Sequence, residues 1–371
     1  MTRFFWDPVT VLFLLAAGWA VFNLVAYRNL SAGVRPVPGF PFILAGFTTL
    51  VIASMGLSAP TPAAKQQVLF ISSAAALYAA VRQLSDPYKQ ALSDCVRWTM
   101  GIAALLFLGA FAAGGRVSSY DRTQLFVNDN VMASFTAAGV FFGLGLLKRS
   151  KIAAGALISA CAAVLFVTQS ALAALSLGLA LIVVRGKMRP ALSVAAGAAA
   201  LAFGAGVVMR SPWMKDSVAN RLDWWGECFK MISQAPWLGF GPGSFETASR
   251  PFADPGLRSA FAHSFILQGT VETGIPAFLL LALLIKNMVS AIEDPLLLGA
   301  ALTLLFHGCA DFTLNIPGIF LFLVLLSALG SKPFTLIPHS LTPLRSRLVF
   351  ASIFVISSLI AWQGGLWLAK T

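Results

Sequence analysis

The chain is a succession of apolar runs about as long as a bilayer is thick, broken by one long polar stretch at residues 209–262. A membrane-spanning helix needs about 20 mostly apolar residues. Runs at 9–26, 40–55, 68–81, 99–113, 131–147, 191–209, 261–285, 296–312, 316–329 and 348–368 reach or approach that length. Over its 371 residues 58% are hydrophobic and only 11% charged, where soluble domains carry about 25% charged residues. A soluble globule is excluded, because so much apolar surface needs lipid. The fold class expected is an all-α polytopic membrane protein, a single membrane domain spanning 1–371 with 209–262 as its one large loop.

The run at 152–184 needs a decision. As one helix it would reach about 50 Å at 1.5 Å per residue, against a hydrocarbon core of about 30 Å. Thr168-Gln169-Ser170 interrupts it midway, and basic clusters flank it, Lys148/Arg149/Lys151 before and Arg185/Lys187/Arg189 after. Positive clusters favour the cytoplasmic side, and a hairpin puts both there. Two short helices are therefore expected, giving about twelve segments. The same rule places most of the 26 Lys and Arg residues inside. The long loop and both termini then lie outside, which in a bacterium is the periplasm. The net charge of +12 thus reports topology, and nucleic acid is not expected as a partner. The N-terminal run lacks a small-residue cleavage motif and reads as a retained first span. The four cysteines form no C-x-x-C pair, which suggests neither a zinc site nor a disulfide staple.

Costly polar residues in a membrane protein mark the working region. They gather here between Arg221 and Pro276, and again in H-G-C-A-D-F-T-L-N-I-P. Leu222, Trp225, Phe229 and Ile232 recur at helical spacing, with Arg221, Glu227, Lys230 and Gln234 facing elsewhere. The pattern predicts a short amphipathic helix at the interface, with Arg221 placed to meet an anionic head group. Gly239, Gly241 and Gly243 then alternate with bulky residues around Pro242. Such a loop either aims N–H groups at a phosphate or is a tight turn without a ligand. His263 opens the next apolar run and is a ready general base near pH 7. Glu272, nine residues on, falls about half a turn away, so the two do not form a dyad. His307 and Asp311 are spaced i, i+4, as on one helix face. Asp311 and Asn315 belong at the outer end, level with His263. A carboxylate there needs a partner, either His263 or one of Arg210, Arg221, Arg250 and Arg258. Asn128, Asp129 and Asn130 either contact sugar hydroxyls or cap the helix they open.

With those residues laid out, the chain resembles the bacterial O-antigen ligase and O-antigen polymerase superfamily. R-L-x-x-W followed by P-W-L-G-F-G-P-G-S-F, His263-Ser264 followed by Gly274, and H-x-x-x-D-F-x-x-x-x-P from His307 to Pro317 are similar to that family's motifs in order and spacing. N-D-N-V-M-A is a weaker fourth match. Two positions depart. The turn at T-Q-S-A-L-A lacks the family's arginine after serine, and Ala277 stands where the family carries glycine or a hydroxyl residue.

The resemblance implies transfer of a glycan from undecaprenyl diphosphate to an acceptor hydroxyl, in assembly of lipopolysaccharide or a related surface polysaccharide. The acceptor would sit on a glycolipid, on a second lipid-linked glycan or on a protein. Ligase, polymerase and protein transferase all remain open, beside a transporter of the same glycan and an inactive scaffold. A diphosphate leaves readily, so the reaction calls for no metal or cofactor. His263 is expected as base, oriented by Asp311, with Arg221 and Arg210 on the diphosphate. Arg250, Gly241, Gly243, Glu272, Asn130 and His307 are the other residues expected to bind substrate.

Overall fold

A computed structural model describes residues 84–113, 128–185 and 190–332, with isolated positions between 70 and 82. The spans expected at 9–26, 40–55 and 348–368, and most of 68–81, lie outside the described residues. Nine helices of thirteen residues or more follow one another among those described, beside a short helix at Phe245–Ala248 and a 3-10 turn at Thr313–Asn315. The nine are α1 (Asp86–Ala112), α2 (Asp129–Leu146), α3 (Lys151–Thr168), α4 (Ala171–Val184), α5 (Pro190–Arg210), α6 (Pro212–Gln234), α7 (Phe265–Ser290), α8 (Pro295–Cys309) and α9 (Pro317–Leu329). Five of the long ones (α1, α2, α3, α5 and α7) are apolar enough to cross a membrane, while α4, α8 and α9 are apolar but shorter. The chain is therefore a multi-pass membrane protein, all-helical over the described residues.

The expected break of the run at 152–184 into two short helices is present. α3 ends at Thr168, Gln169 takes a left-handed φ of 47°, and α4 restarts at Ala171. The chain reverses because one residue leaves the helical region, and only a few non-glycine residues do so. The amphipathic helix is longer than the sequence suggests. It starts at Pro212, whose fixed φ suits a first helical turn, and follows α5 after a single residue, Ser211. Its exposed side carries Leu222 and Phe229, while Cys228 and Met231 face inward.

The core is formed by α2, α3, α4, α8 and α9, whose buried residues make one continuous cluster. α2 is the inner helix of the five long spans, with 61% of its most apolar window buried against 17% for α1. The outer helices present Trp98, Ile102, Leu105, Ile152 and Phe166 outward. That apolar exterior is stable only in lipid. Between α4 and α5 small residues bring backbones together. A Cβ on Gly197 would fall 3.0 Å from the Gly178 carbonyl oxygen, the close approach that membrane helices use in place of a hydrophobic drive.

α7 is broken. Gly274 sits at φ 81°, ψ 164° and Pro276 follows it within the same helix. Backbone groups freed inside a membrane protein must find other partners. Here the Ile275 N–H donates to the Pro236 carbonyl at 2.8 Å, so the segment after α6 is strapped across the break.

Candidate active site

Helix ends collect the polar residues at one pole of the bundle. The N-termini of α2, α4, α7 and α9 and the C-termini of α3, α5 and α8 all lie there. Asn128 caps α2 by accepting from the Val131 N–H at 2.9 Å, the capping role that its sequence position allowed. Its neighbour Asn130 looks the other way. It accepts from Ser170 Oγ at 2.8 Å and its amide approaches Asp311 Oδ2 at 3.4 Å.

Asp311 is the hub. α8 stops at Cys309, so Asp311 stands in the turn beyond the helix. The one-face pairing of His307 with Asp311 expected from their spacing does not occur. They connect instead through Thr313, whose hydroxyl lies 2.9 Å from His307 Nδ1 and 3.1 Å from Asp311 Oδ1. Oδ2 of the same carboxylate meets Arg221 Nη2 at 3.2 Å and faces His263 Nδ1 at 3.7 Å. Asp311 is fully buried, and a buried carboxylate persists as a charge only when paired and hydrogen-bonded. Of the partners weighed from the sequence, the structure brings His263 and Arg221 to it.

His263 is held firmly. Its ring stacks on Trp224 with centroids 4.6 Å apart and planes at 15°, and meets the edge of Phe312 at 4.9 Å and 88°. Trp224 is itself anchored by donating its indole N–H to the Leu257 carbonyl. His263 has φ 49°; it and Gln169 are the non-glycine residues with positive φ among those described. Both flank the Asp311 cluster. A side chain in that region is strained, and such strain concentrates at functional sites. Ser264 then caps α7 by accepting from the Leu267 N–H. His263 thus precedes the helix instead of opening it.

The glycine loop is occupied by its own chain. Gly243 and Phe245 donate their N–H groups to the Glu272 carboxylate at 2.9 and 3.4 Å, and Gln268 donates to it at 3.1 Å. Phe240 and Gly241 donate to the carbonyls of Val271 and Glu272. Gly241, Gly243 and Glu272, expected at the substrate, are engaged with one another. The loop lies so close to α7 that a Cβ on Gly239 would meet the Val271 oxygen at 2.5 Å. One on Gly274 would meet the Trp237 oxygen at 2.2 Å. Glycine is required there by both space and φ. His307 is fully buried behind Thr313. Arg210 ends α5 and Arg250 lies exposed in the loop. Burial pushes the Cys228 thiol up to about 12, so it is no nucleophile.

Thr313, Ser170, Trp224 and Phe312 complete the cluster and were not expected as site residues. Ser170 and Phe312 stand inside the quoted motifs. Nothing in the local pattern singled out Thr313.

The fold and this pole define a multi-pass membrane protein with an Arg–Asp–His cluster at the end of its bundle. The family described as O-antigen ligase matches over residues 129–282. That segment is similar to the family's domain, a likeness that supports a membrane glycan-processing function of ligase or polymerase type. The match takes in Asn130, Arg221 and His263 and ends before Asp311, which reaches the domain only through the packing of α8. No curated protein matches the chain.

Proposed function

We propose that the chain transfers a glycan from undecaprenyl diphosphate to an acceptor hydroxyl at the periplasmic face of the bacterial inner membrane. The observation that carries this reading is the convergence of His263 and Arg221 on one buried carboxylate, next to a strained backbone. An ionised carboxylate only accepts hydrogen bonds. His263 Nδ1, which faces Asp311, therefore carries its proton, and Nε2 keeps the lone pair that a general base needs. The separation of 3.7 Å is longer than a hydrogen bond and is expected to shorten in the Michaelis complex.

In the proposed step the acceptor O–H gives its proton to Nε2 while its oxygen forms the new bond to the anomeric carbon. The bond from that carbon to the diphosphate breaks, and the electron pair leaves with the diphosphate. Arg221 on α6, with Arg210 at the α5–α6 junction, supplies positive charge for the departing group. The test is turnover by the purified full-length protein in lipid nanodiscs. The donor is undecaprenyl diphosphate-linked glycan extracted from a strain lacking the protein, with that strain's glycolipid fraction as acceptor. His263→Ala is expected to lower turnover about 10²- to 10⁴-fold, the usual worth of a positioned base. Parental turnover in a variant that inserts normally would refute the base assignment.

The same deletion strain separates the reactions. Long glycans accumulating on undecaprenyl diphosphate above bare lipid A-core would indicate a ligase. Single repeat units would indicate a polymerase. Unchanged profiles of both would direct the search to protein-linked glycans or exopolysaccharide.

A further inference from the structure

The buried chain behind Asp311 has a direction that hydrogen-bond chemistry fixes. Thr313 has one hydroxyl proton and two lone pairs. Its Oγ lies within hydrogen-bonding distance of His307 Nδ1 and of Asp311 Oδ1, at 2.9 and 3.1 Å. The carboxylate has no proton to give, so the hydroxyl proton goes to Oδ1. The remaining contact is satisfied only if His307 Nδ1 carries a proton and donates it to Oγ. The order is then His307 N–H to Thr313 Oγ, Thr313 O–H to Asp311 Oδ1. All three side chains are buried, so no solvent competes for these bonds.

The two carboxylate oxygens divide the work. Oδ1 is held by Thr313. Oδ2 takes Arg221 Nη2 and the Asn130 amide, and faces His263. Asn130 is in turn held by Ser170. Without the Thr313 hydroxyl Oδ1 loses its hydrogen bond, and only the contacts of Arg221 and Asn130 with Oδ2 resist a turn of the carboxylate that would carry Oδ2 away from the imidazole. A structural account, in which Thr313 merely fills space after α8, leaves the order of donors without consequence. The positioning account makes the hydroxyl, and not the methyl, the part that matters.

We infer that Thr313, backed by His307, is a positioning residue. It locks the Asp311 rotamer so that Oδ2 holds His263 with its proton on Nδ1 and Nε2 free toward the acceptor. This rests on the base role proposed above for His263, and the experiment separates the two. The charged or titratable side chains around His263 are Asp311 beyond α8, Arg221 on α6, and His307 on α8 behind Thr313.

The assay described above is run on Thr313→Val, Thr313→Ser and His263→Ala, varying donor concentration to separate kcat from KM. Thr313→Val keeps shape and loses the hydroxyl. Its kcat is expected to fall about 10- to 100-fold, the loss expected for one hydrogen bond to a charged group. Its KM for donor should stay within about twofold. Thr313→Ser restores most of kcat. Parental kcat in Thr313→Val, beside an inactive His263→Ala, overturns the inference alone. Equal losses in the Val and Ser proteins also overturn it, since the methyl would then be what matters. Parental turnover in His263→Ala refutes the base reading and the inference with it. Should Thr313→Val fail to insert, the same comparison is made one residue back. His307→Asn keeps a donor near the Nδ1 position and is expected to retain kcat, while His307→Leu loses it. Equal kcat in those two proteins overturns the inference.

Discussion

Both poles of the bundle bury cations, and they treat them differently. At the pole opposite the candidate site, Lys89 Nζ donates to the Ser331 carbonyl at 2.6 Å. Arg82 donates to the Lys332 carbonyl through two nitrogens, at 2.9 and 2.6 Å. These carbonyls follow α9, so the cations cap a helix end where the backbone dipole favours positive charge. At the site pole a largely buried cation, Arg221, meets a buried carboxylate that also faces an imidazole, across separate helices. Side-chain polar atoms buried without a hydrogen-bond partner, among the described residues, fall mostly there. They are Arg221 Nε, Trp225 Nε1, His263 Nδ1, His307 Nε2 and Asn315 Oδ1, with Arg97 Nε the exception elsewhere. One pole uses its charges to close the backbone's accounts, while the other keeps polar groups buried and incompletely satisfied. Native proteins leave few such groups, and each asks for a reason. For Arg221 Nε, at the proposed diphosphate site, the reason proposed here is that substrate supplies the missing partner.

The contrast breaks most sharply at Asp311. Asp311→Asn keeps shape and removes the charge, leaving Arg221 buried against a neutral amide. It also offers His263 a group that no longer selects one tautomer. Turnover in nanodiscs is expected to fall by at least about 10³-fold, in line with the loss seen when a triad carboxylate is neutralised. The protein should still insert. Residual turnover near parental would mean the two poles do not differ as described.

Next in size is Gly274→Ala, which leaves every charge in place. The new Cβ would fall 2.2 Å from the Trp237 oxygen at a φ of 81°, a strain of roughly 1–3 kcal/mol or more before any clash is relieved. The loop from Pro236 to Phe245 is expected to detach from α7. Limited proteolysis should cut it faster than in the parent, and activity should fall because Phe245, which packs with Ala262 next to His263 and with Cys228 on α6, loses its place. Unchanged cleavage would show that the strap is not what holds the pole together.

The smallest effect on chemistry belongs to the capping pole. Lys89→Met removes the donor to Ser331 and is expected to cost about 1–3 kcal/mol of stability, read as an earlier thermal transition in detergent. Turnover below the new transition should stay within about twofold of parental. A loss of turnover comparable to that of Asp311→Asn would erase the distinction between the poles.

Much of the architecture was open to reading from the chain. The break at Thr168-Gln169-Ser170 followed from a run too long for one span, and the basic flanks made it a hairpin. Arg221, His263 and Asp311 stood out because polar residues at apolar boundaries are expensive. Other parts were hidden for definite reasons. The i, i+4 spacing of His307 and Asp311 implied a shared helix face, yet α8 ends between them and a threonine joins them instead. Glu272 looked like a site carboxylate; two backbone N–H groups that it receives come from a loop nearly thirty residues upstream. Thr313 carried no signal, since a threonine after a helix is ordinary until its two neighbours are known.

The amino-acid sequence by itself determined that the chain is a helical membrane bundle and which side chains are too costly to be idle. Apolar length and charge placement act locally, residue by residue, against a bilayer of given thickness. Tertiary structure alone decided which of those side chains face one another. Arg221 and Asp311 are 90 positions apart, and they meet because helix ends from distant parts of the chain are packed at one pole. Only there does a single carboxylate see a cation, an imidazole and a hydroxyl at once.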